Sequence, residues 1–120
     1  TLAAKIKDDK DLENKNIVKV ITKKKLNESQ FSEARTFLRT SSRIDNIYHH
    51  IGIYCYSIET LEKFVKLDQT ENEIKYRLEQ LRALDNEINI DVALAKSPSV
   101  GVDTEEDYLA LKKIMEYKTG

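Results

Sequence analysis

Residues 48–56 carry most of the side chains in this sequence that could do chemistry. The segment holds both histidines, the only cysteine and three of the six tyrosines. Its alternation of apolar and polar residues predicts a buried strand, in which His50, Gly52 and Tyr54 share one face. His50 and Tyr54 would then stand about 13 Å apart along the strand, separated by the bare backbone of Gly52. A small polar molecule could sit in that gap.

The same residues also have a purely structural interpretation. A histidine at the start of a strand is usually a surface group or a core group with a satisfied hydrogen bond. Gly52 would then mark only a bulge or the close approach of a helix. The spacing alone leaves both interpretations open.

Three further side chains are candidates for chemistry, and each also has a simple structural role. Glu79 and Gln80 fall on the flanks of a predicted amphipathic helix, where periodicity makes them solvated residues. Asp103 lies in a loop just before the last predicted helix. A carboxylate at that place either stabilises the positive end of the helix or binds a metal ion.

The composition excludes several classes of function. The 120 residues contain 20 lysines and arginines against 21 aspartates and glutamates, giving a net charge of −1. No broad basic field is therefore available to attract nucleic acid or an anionic membrane, and we expect neither as a partner. One cysteine excludes an internal disulfide, and two adjacent histidines with one cysteine do not make a zinc site. The sequence has no glycine-rich phosphate loop and no Ser-His-Asp nucleophile elbow.

Hydropathy and the first residues bear on location and completeness. No apolar run is long enough to cross a membrane and no signal peptide opens the sequence, so we expect a cytoplasmic protein. The chain opens on Thr1 rather than methionine, and residues 1–6 are already apolar and strand-like. We therefore expect a portion of a longer protein, although a chosen N-terminal boundary explains the same observation.

Apolar runs predict the strands of an α/β fold. They predict strands over residues 1–6, 48–56 and 88–94, and a β-hairpin over residues 17–32 whose tip carries three lysines. We expect a mixed, mainly parallel sheet with this β-hairpin protruding from it and with helices along its sides.

Capping residues and apolar spacing predict the helices. Helices are expected to begin near Ser57, Thr70 and Thr104. In the irregular stretch between residues 33 and 46, the spacing of Arg35, Arg39 and Arg43 would place one basic stripe on a surface helix.

Three segments, in this order and spacing, resemble the CMP-Kdo synthetase family, the 3-deoxy-manno-octulosonate cytidylyltransferases. They are His50–Tyr54, Leu78–Arg82 and Gly101–Thr104. Residues 1–6 and 18–20 are also similar to that family. The resemblance covers essentially the whole chain but only the C-terminal half of the family's length. It identifies residues 1–120 as a single C-terminal portion of a cytidylyltransferase domain with a nucleotide-diphospho-sugar transferase-like, Rossmannoid fold.

The resemblance implies a bacterial enzyme of lipopolysaccharide biosynthesis. In this reaction, which depends on Mg²⁺, the anomeric hydroxyl of Kdo attacks the α-phosphate of CTP and gives CMP-Kdo and pyrophosphate. By the family pattern His50, Tyr54, Glu79 and Gln80 line the sugar-acid pocket and Asp103 holds the metal. The resemblance also implies a homodimer. The CTP loop belongs to the absent N-terminal half, so the chain alone is not expected to turn over.

One departure from the family pattern leaves other functions open. Glu33 stands where the family has an arginine near the sugar carboxylate, and a glutamate there would repel that group. One alternative is therefore a cytidylyltransferase for another acid sugar of eight or nine carbons. The other alternative is a stand-alone binding or dimerisation module with a degenerate sugar site. The coding sequence upstream of Thr1 distinguishes an enzyme from such a module.

Overall fold

The computed structural model of the chain describes residues 1–43, 45–98 and 101–119. The strands in these ranges are β1 (Leu2–Ala4), β2 (Lys19–Thr22), β3 (Ser32–Leu38), β4 (Ile47–Ile51) and β5 (Asp91–Leu94). The helices are α1 (Ile58–Val65), α2 (Glu71–Tyr76), α3 (Gln80–Asp85) and α4 (Glu105–Thr119), and a 3₁₀ helix spans Asp9–Leu12. No helix in the described ranges is long and apolar enough to span a bilayer.

The five strands close into a barrel in the order β1-β4-β2-β3-β5. All neighbouring pairs are antiparallel except β1 and β5, which run parallel. The expectation of a mainly parallel sheet is therefore wrong. The long crossover through α1, α2 and α3 brings β5 beside β1 in parallel. The connections that join β2, β3 and β4 contain no helix among the described residues, and β2 pairs antiparallel with both of the others.

β2 and β3 form the predicted hairpin, but the structure does not support its protrusion. β2 also pairs with β4, and β3 also pairs with β5, so both strands belong to the barrel wall. The register shifts at Thr22, which opposes Ala34, whereas the preceding residue of β2 opposes Thr36. Arg35 is the extra residue of this bulge and has no opposing residue. It interrupts the alternation of apolar and polar residues by which β3 could have been predicted. The helical arginine stripe is therefore wrong, because Arg35 lies on a strand.

β4 ends at Ile51, not at Tyr56 as predicted. β1 pairs with β4 only as far as the pair Leu2 and Ile51. After this pair, the Thr1 hydroxyl donates to the carbonyl of Ile53 at 2.7 Å. A side chain therefore binds the carbonyl that a backbone N–H would bind if the strand pairing continued. Ile53 is 61% exposed, and the predicted inward face of the strand does not extend to it.

The core lies inside the barrel. Its buried members are Ala3, Val20, Leu26, Ala34, Phe37, Tyr48, Leu78, Leu81 and Val92. Two of these, Leu78 and Leu81, come from the end of the α2–α3 turn and from α3, and they dock the helices onto the barrel. Lys19 is also fully buried, and its ammonium donates to the backbone carbonyls of Asn14 at 2.7 Å and Arg39 at 2.5 Å.

The predicted helix starts are confirmed. The Ser57 hydroxyl caps α1, and Thr70 and Glu73 form a capping box at the start of α2. The single helix expected after Thr70 is instead two short helices, because Arg77 adopts the left-handed conformation with φ of 55°. α3 begins only at Gln80.

α4 begins where the sequence predicts. The Asp107 amide donates to the Thr104 hydroxyl at 3.1 Å, and the Thr104 amide donates to the Asp107 carboxylate at 3.2 Å. Large apolar side chains of this helix, including Tyr108 and Met115, are exposed. Among the described residues, α4 therefore adds little to the core.

Candidate functional site

A cavity of about 460 Å³, here called cavity A, opens between the segment after β4, helix α3 and strand β5. Its polar lining residues include Tyr54, Tyr56, Thr60, Gln80, Asn89 and Asp91. Of the described residues that line it, none is a lysine, an arginine or a histidine, and Asp91 is the one acidic residue. Neutral hydrogen-bonding groups beside aromatic rings suit a ligand that carries many hydroxyl groups.

A row of aromatic rings, here called the aromatic ladder, joins the barrel to the wall of cavity A. Its rings belong to Phe37, His50, Tyr54, Tyr56 and Phe64. Successive ring centroids are 4.9, 5.6, 6.1 and 6.0 Å apart. The contacts are edge-on or tilted, which are favourable geometries for aromatic pairs. The ladder therefore fixes the two tyrosines of the cavity against β3 at one end and α1 at the other.

His50 is neutral inside this ladder. Burial, with smaller contributions from the nearby Thr1 amino group and from His49, lowers the pKa of its imidazole to about 4. His50 Nε2 lies 3.0 Å from the Thr1 hydroxyl, which is also within donating distance of the carbonyls of Ile53 at 2.7 Å and Ile51 at 3.2 Å. In the tautomer that carries the ring proton on Nε2, His50 donates to this hydroxyl and the hydroxyl donates to a carbonyl. His50 therefore supplies a hydrogen-bonded ring at neutral pH and not a positive charge.

Tyr54 and Tyr56 present protonated phenols. Burial raises the pKa of Tyr54, and the neighbouring Tyr56 and the Glu79 carboxylate raise it further. Burial and Glu79 likewise raise the pKa of Tyr56. Both hydroxyls can therefore donate a hydrogen bond to a ligand at neutral pH, and neither is suited to act as a base.

A buried ion pair holds the helices behind the cavity. Arg82 Nε lies 2.8 Å and Arg82 Nη2 2.5 Å from the two carboxylate oxygens of Glu73. The Arg82 guanidinium also stacks 5.0 Å from the centroid of the Phe64 ring, at the end of the aromatic ladder. The hydrogen bonds from Arg82 lower the pKa of Glu73. Because both charges are largely buried, this bidentate pair fixes α3 relative to α2.

The structure brings the predicted sugar-site residues to one region but in different positions. Tyr54 and Gln80 line cavity A. His50 lies behind Tyr54, with their ring centroids 5.6 Å apart instead of separated by the predicted gap. Glu79 is exposed just before α3, and its charge acts on both tyrosines. The predicted gap at Gly52 is open space, but it lies outside cavity A.

Asn89 and Asp91 are among the polar lining residues that were not predicted from the sequence. Asn89 and Asp91 line cavity A from the strand region whose apolar residues were assigned to the core. They occupy the polar positions of the predicted alternation over residues 88–94. Alternation could not have singled them out as the ligand-facing set, because Ile88 and Ile90 line the same cavity.

The structure does not assemble a metal site around Asp103. Among the described residues, no group of three or more histidine, cysteine, aspartate or glutamate side chains could hold a metal ion. Asp103 is exposed at the start of α4, and its backbone amide donates to the carboxylate of Asp107 at 3.2 Å. Asp107 is already used as the helix cap. Asp103 therefore offers one carboxylate, which fits a single ligand of Mg²⁺, an ion that usually keeps several waters and phosphate oxygens.

Glu33 does not face the cavity as an unpaired negative charge. Its carboxylate forms an ion pair with the Lys23 ammonium. Lys23 and Glu33 line a smaller cavity of about 350 Å³ that shares Phe31 and Asp91 with cavity A. The repulsion expected from Glu33 is therefore reduced by Lys23.

Known proteins with similar sequences and structures point to one family. A family model described as cytidylyltransferase matches residues 1–91. The 3-deoxy-manno-octulosonate cytidylyltransferase of Bartonella bacilliformis is 42% identical over 118 residues, which cover 96% of this chain and 47% of the relative. The same enzyme of Agrobacterium fabrum is 39% identical over 125 residues, which cover 99% of this chain and 47% of the relative.

A solved structure agrees with the sequence relatives. The structure of CMP:2-keto-3-deoxy-manno-octonic acid synthetase complexed with CTP matches with a TM-score of 0.80 and 26% identity, over 98% of this chain and 48% of that one. The chain thus spans about half the length of the proteins that it matches. Because the family model covers most of the chain, the chain belongs to the cytidylyltransferase family.

Proposed function

We propose that the chain is the C-terminal portion of an enzyme that transfers CMP from CTP to Kdo, giving CMP-Kdo and pyrophosphate. The observation that carries this proposal is the match of nearly the whole chain to 3-deoxy-manno-octulosonate cytidylyltransferases at 39–42% identity. The similar solved structure, which is complexed with CTP, supports the same reaction. Because the matches extend over about half of each relative, the remainder of such an enzyme would supply the CTP site.

In this proposal cavity A binds the sugar acid. The amide of Gln80 and the phenol of Tyr54 offer neutral donors and acceptors for sugar hydroxyls, and Asn89 offers a further amide. His50 acts as a positioning residue, because it contacts the Tyr54 ring and does not line the cavity. Burial, with a smaller contribution from Glu79, raises the pKa of both phenols, which are protonated donors at neutral pH.

The chemical step is an in-line displacement at the α-phosphorus. The anomeric hydroxyl oxygen forms a bond to phosphorus, the bond to the pyrophosphate oxygen breaks, and the hydroxyl proton leaves to solvent or to a base. The cavity contributes by orienting the sugar so that this hydroxyl faces the nucleotide, since positioning supplies much of the catalysis in such transfers. The phenols of Tyr54 and Tyr56 are protonated and are not suited to act as this base.

Mg²⁺ and Asp103 form a separate part of the proposal. Mg²⁺, when bound, would offset the charge on the α-phosphate and on the leaving pyrophosphate. Asp103 would provide one carboxylate ligand. Asp103→Asn should leave the melting temperature nearly unchanged, because the side chain is exposed and the hydrogen bond to Asp107 comes from the Asp103 backbone amide, which the substitution keeps. It should reduce kcat and weaken the binding of Mn²⁺, measured by broadening of the amide NMR signals around Asp103. Equal broadening in the variant would reject the metal role.

The direct test uses the full-length natural protein that contains this chain. Pyrophosphate release is measured with CTP, Mg²⁺ and a panel of acid sugars. We expect turnover with Kdo, and a higher KM for Kdo in Gln80→Leu, which removes the amide from cavity A. Glu28→Gln, at an exposed residue that lines none of the described cavities, is the control. Turnover with another acid sugar and not with Kdo would change the substrate, and no turnover with any of them would favour a binding module.

A homodimer is also proposed, with a second copy of the chain on the exposed face of α1. Ile58, Leu61 and Val65 lie on this face and are 78%, 44% and 66% exposed. Side chains of both charge signs flank them on the same helix. A two-fold interface is self-complementary, and mixed charges around an apolar stripe meet that requirement. Leu61→Asp should convert the dimer to a monomer in light scattering, and an unchanged mass would reject this face as the interface.

We assign the proposed enzyme to the cytoplasm. The assignment rests on its substrate CTP and on Cys55, an exposed free thiol that suits a reducing compartment.

A further inference from the structure

A second cavity lies at the opposite end of β3 from cavity A. This cavity, here called cavity B, has a volume of about 560 Å³ and is lined by residues 15–16, 38–40 and 75–77. It shares no lining residue with cavity A. Phe31, just before β3, lines cavity A, and Leu38, at the end of β3, lines cavity B. The seven residues of β3 therefore separate the two cavities by about 20 Å.

The described residues that line cavity B include positively charged side chains and no negatively charged ones. Four of its lining residues are cationic, namely Lys15, Arg39, Lys75 and Arg77, and none is an aspartate or glutamate. Among the described residues none of these four forms an ion pair, whereas Lys23, Arg82 and Lys112 do. The chain as a whole has a net charge of −1, so this cluster is a local departure from a balanced surface.

Arg39 is held in place by backbone groups alone. Its Nε donates to the carbonyl of Tyr76 at 3.2 Å, its Nη1 to that of Lys15 at 3.1 Å and its Nη2 to that of Arg77 at 3.0 Å. A guanidinium has five N–H groups, so two remain for a ligand. The carbonyls fix the guanidinium but leave its charge in place. Arg39 therefore joins the three segments that line the cavity and presents an oriented cation to it.

A fifth cation lies behind the wall of the cavity. The buried Lys19 ammonium binds the backbone carbonyls of Asn14 and Arg39; it forms no ion pair among the described residues, although the charge of the Asp11 carboxylate acts on it. It holds residues 14 and 39 together beneath the cavity lining. Five positive groups thus converge on one corner of the barrel, where the attraction for an anion is stronger than any single surface lysine provides.

We propose that cavity B is a binding site for an oligophosphate, a ligand with two or three linked phosphate groups. A single phosphate group carries at most about two negative charges, which two cations already balance. Four cations around a cavity larger than cavity A match the charge and the size of a diphosphate or triphosphate. Guanidinium groups are suited to phosphate oxygens because their N–H groups pair with two oxygens at once. This proposal does not rest on the proposed function of cavity A.

The test compares two doubly substituted chains that lose the same charge. The first is Lys75→Gln with Arg77→Asn; asparagine tolerates the left-handed conformation at position 77, and glutamine favours helix about as well as lysine. The control is Lys63→Gln with Lys66→Gln, two exposed lysines in the last turn of α1 and directly after it, which line none of the described cavities. The melting temperature of each variant is measured first to confirm folding.

Binding of tripolyphosphate, pyrophosphate, CTP and orthophosphate is then measured by calorimetry at low ionic strength, and amide NMR shifts locate the site. We expect tripolyphosphate and pyrophosphate to bind more tightly than orthophosphate, with shifts at residues 15–16, 39–40 and 75–77. The first variant should weaken this binding by about tenfold or more, and the control should not change it.

Each outcome assigns the source of the ligand or overturns the proposal. Tighter binding of CTP than of tripolyphosphate, with the same shifts, assigns the site to a nucleotide; equal binding assigns it to the phosphate chain alone. Equal weakening in both variants would show general charge screening and overturn the proposal. So would tighter binding of a short single-stranded RNA than of any oligophosphate at these residues, because it would assign the surface to nucleic acid.

Discussion

The barrel and the helical layer formed by α1, α2 and α3 are held together by different kinds of contact. The barrel encloses a core of apolar side chains, among them Ala3, Val20 and Val92, which are completely buried. The helical layer buries few apolar side chains, and Ile58, Val65 and Ile74 are more than half exposed. Within the layer the Glu73–Arg82 ion pair joins α2 to α3, and the layer meets the barrel through buried Leu78 and Leu81 and through the aromatic ladder.

This difference predicts which region tolerates substitutions and which region is destabilised by them. Apolar packing is spread over many contacts, so a barrel side chain can be replaced by one of similar volume at modest cost. An ion pair between two buried groups depends on both partners, and the loss of one leaves the other buried and unpaired. We therefore expect single substitutions at the helical layer to have unusually large effects, and cavity A lies at its junction with the barrel.

The largest effect is expected from Arg82→Met. It leaves the Glu73 carboxylate buried without its partner and removes the cation that stacks on Phe64. The melting temperature should fall by roughly 15 °C. Glu73→Gln should cost less, because the amide still accepts the Thr70 backbone hydrogen bond of the capping box.

The matched control is Lys112→Met, which removes an exposed ion pair with Glu116 on α4. Exposed pairs contribute little, so this change should shift the melting temperature by no more than about 2 °C. Similar shifts in Arg82→Met and Lys112→Met would show that the helical layer does not depend on its ion pair.

The second prediction concerns pH and the joint between the two regions. The folded pKa of His50 is about 4, below the ordinary value of 6.5, because the ring is buried. As the pH falls below 6.5 the unfolded chain takes up a proton before the folded chain does, so stability is lost between pH 6.5 and pH 4. The shift corresponds to about 3 kcal/mol, present in full above pH 6.5.

His50→Phe should remove this loss while keeping a ring in the aromatic ladder. The measurement is the free energy of unfolding in urea at several pH values, compared between the variant and the wild type. Glu73 and Asp107, whose pKa values are lowered, lose their contribution in both proteins as the pH falls further. Parallel curves for the two proteins between pH 4 and 6.5 would contradict the neutral His50.

A smaller effect, of the opposite sign, is expected from Arg77→Gly. Arg77 adopts the left-handed conformation that ends α2, which costs an ordinary residue about 1 kcal/mol and glycine little. Arg39 binds the backbone carbonyl at this position, which the substitution keeps. The melting temperature should rise by about 3 °C. A decrease would show that the Arg77 side chain stabilises the α2–α3 turn.

The smallest effect on stability is expected from Gly52→Val. A Cβ at this position would meet no atom within 4 Å, and the φ of Gly52 is not in the left-handed region that only glycine adopts easily. The melting temperature should change by less than about 2 °C. The KM for the sugar acid is then measured in the full-length protein that contains this chain. A raised KM in Gly52→Val would show that the ligand extends over Gly52, and an unchanged KM would confine the ligand to cavity A.

The helix starts could be predicted from the sequence because capping is local. Ser57, Thr70 and Thr104 each act within three residues along the chain, and the structure confirms all three. The strands could be located less well. A bulge at Arg35 interrupts the alternation of β3, and β4 ends where its pairing with β1 ends. Strand direction and barrel closure depend on pairing between distant residues, which periodicity does not encode.

The candidate site could be predicted in part for the same reason. Tyr54 and Gln80 were identified from a resemblance in the sequence, and both line cavity A. The interruption of the helix at Arg77 was not predicted, since only glycine and asparagine signal a left-handed residue. It makes Glu79 a residue before α3 and not part of a continuous helix. Cavity B could not be predicted, because residues far apart in the chain line it.

The aromatic ladder gives the chain an optical signal of its own. The sequence has no tryptophan, so absorption near 280 nm comes almost wholly from six tyrosines. Tyr54 and Tyr56 are the two that the ladder holds at fixed tilts to their neighbours, and such rings give near-ultraviolet circular dichroism. If the helical layer detached while the barrel stayed folded, this signal would disappear before the far-ultraviolet signal of the strands. The chain therefore reports the opening of cavity A without a label.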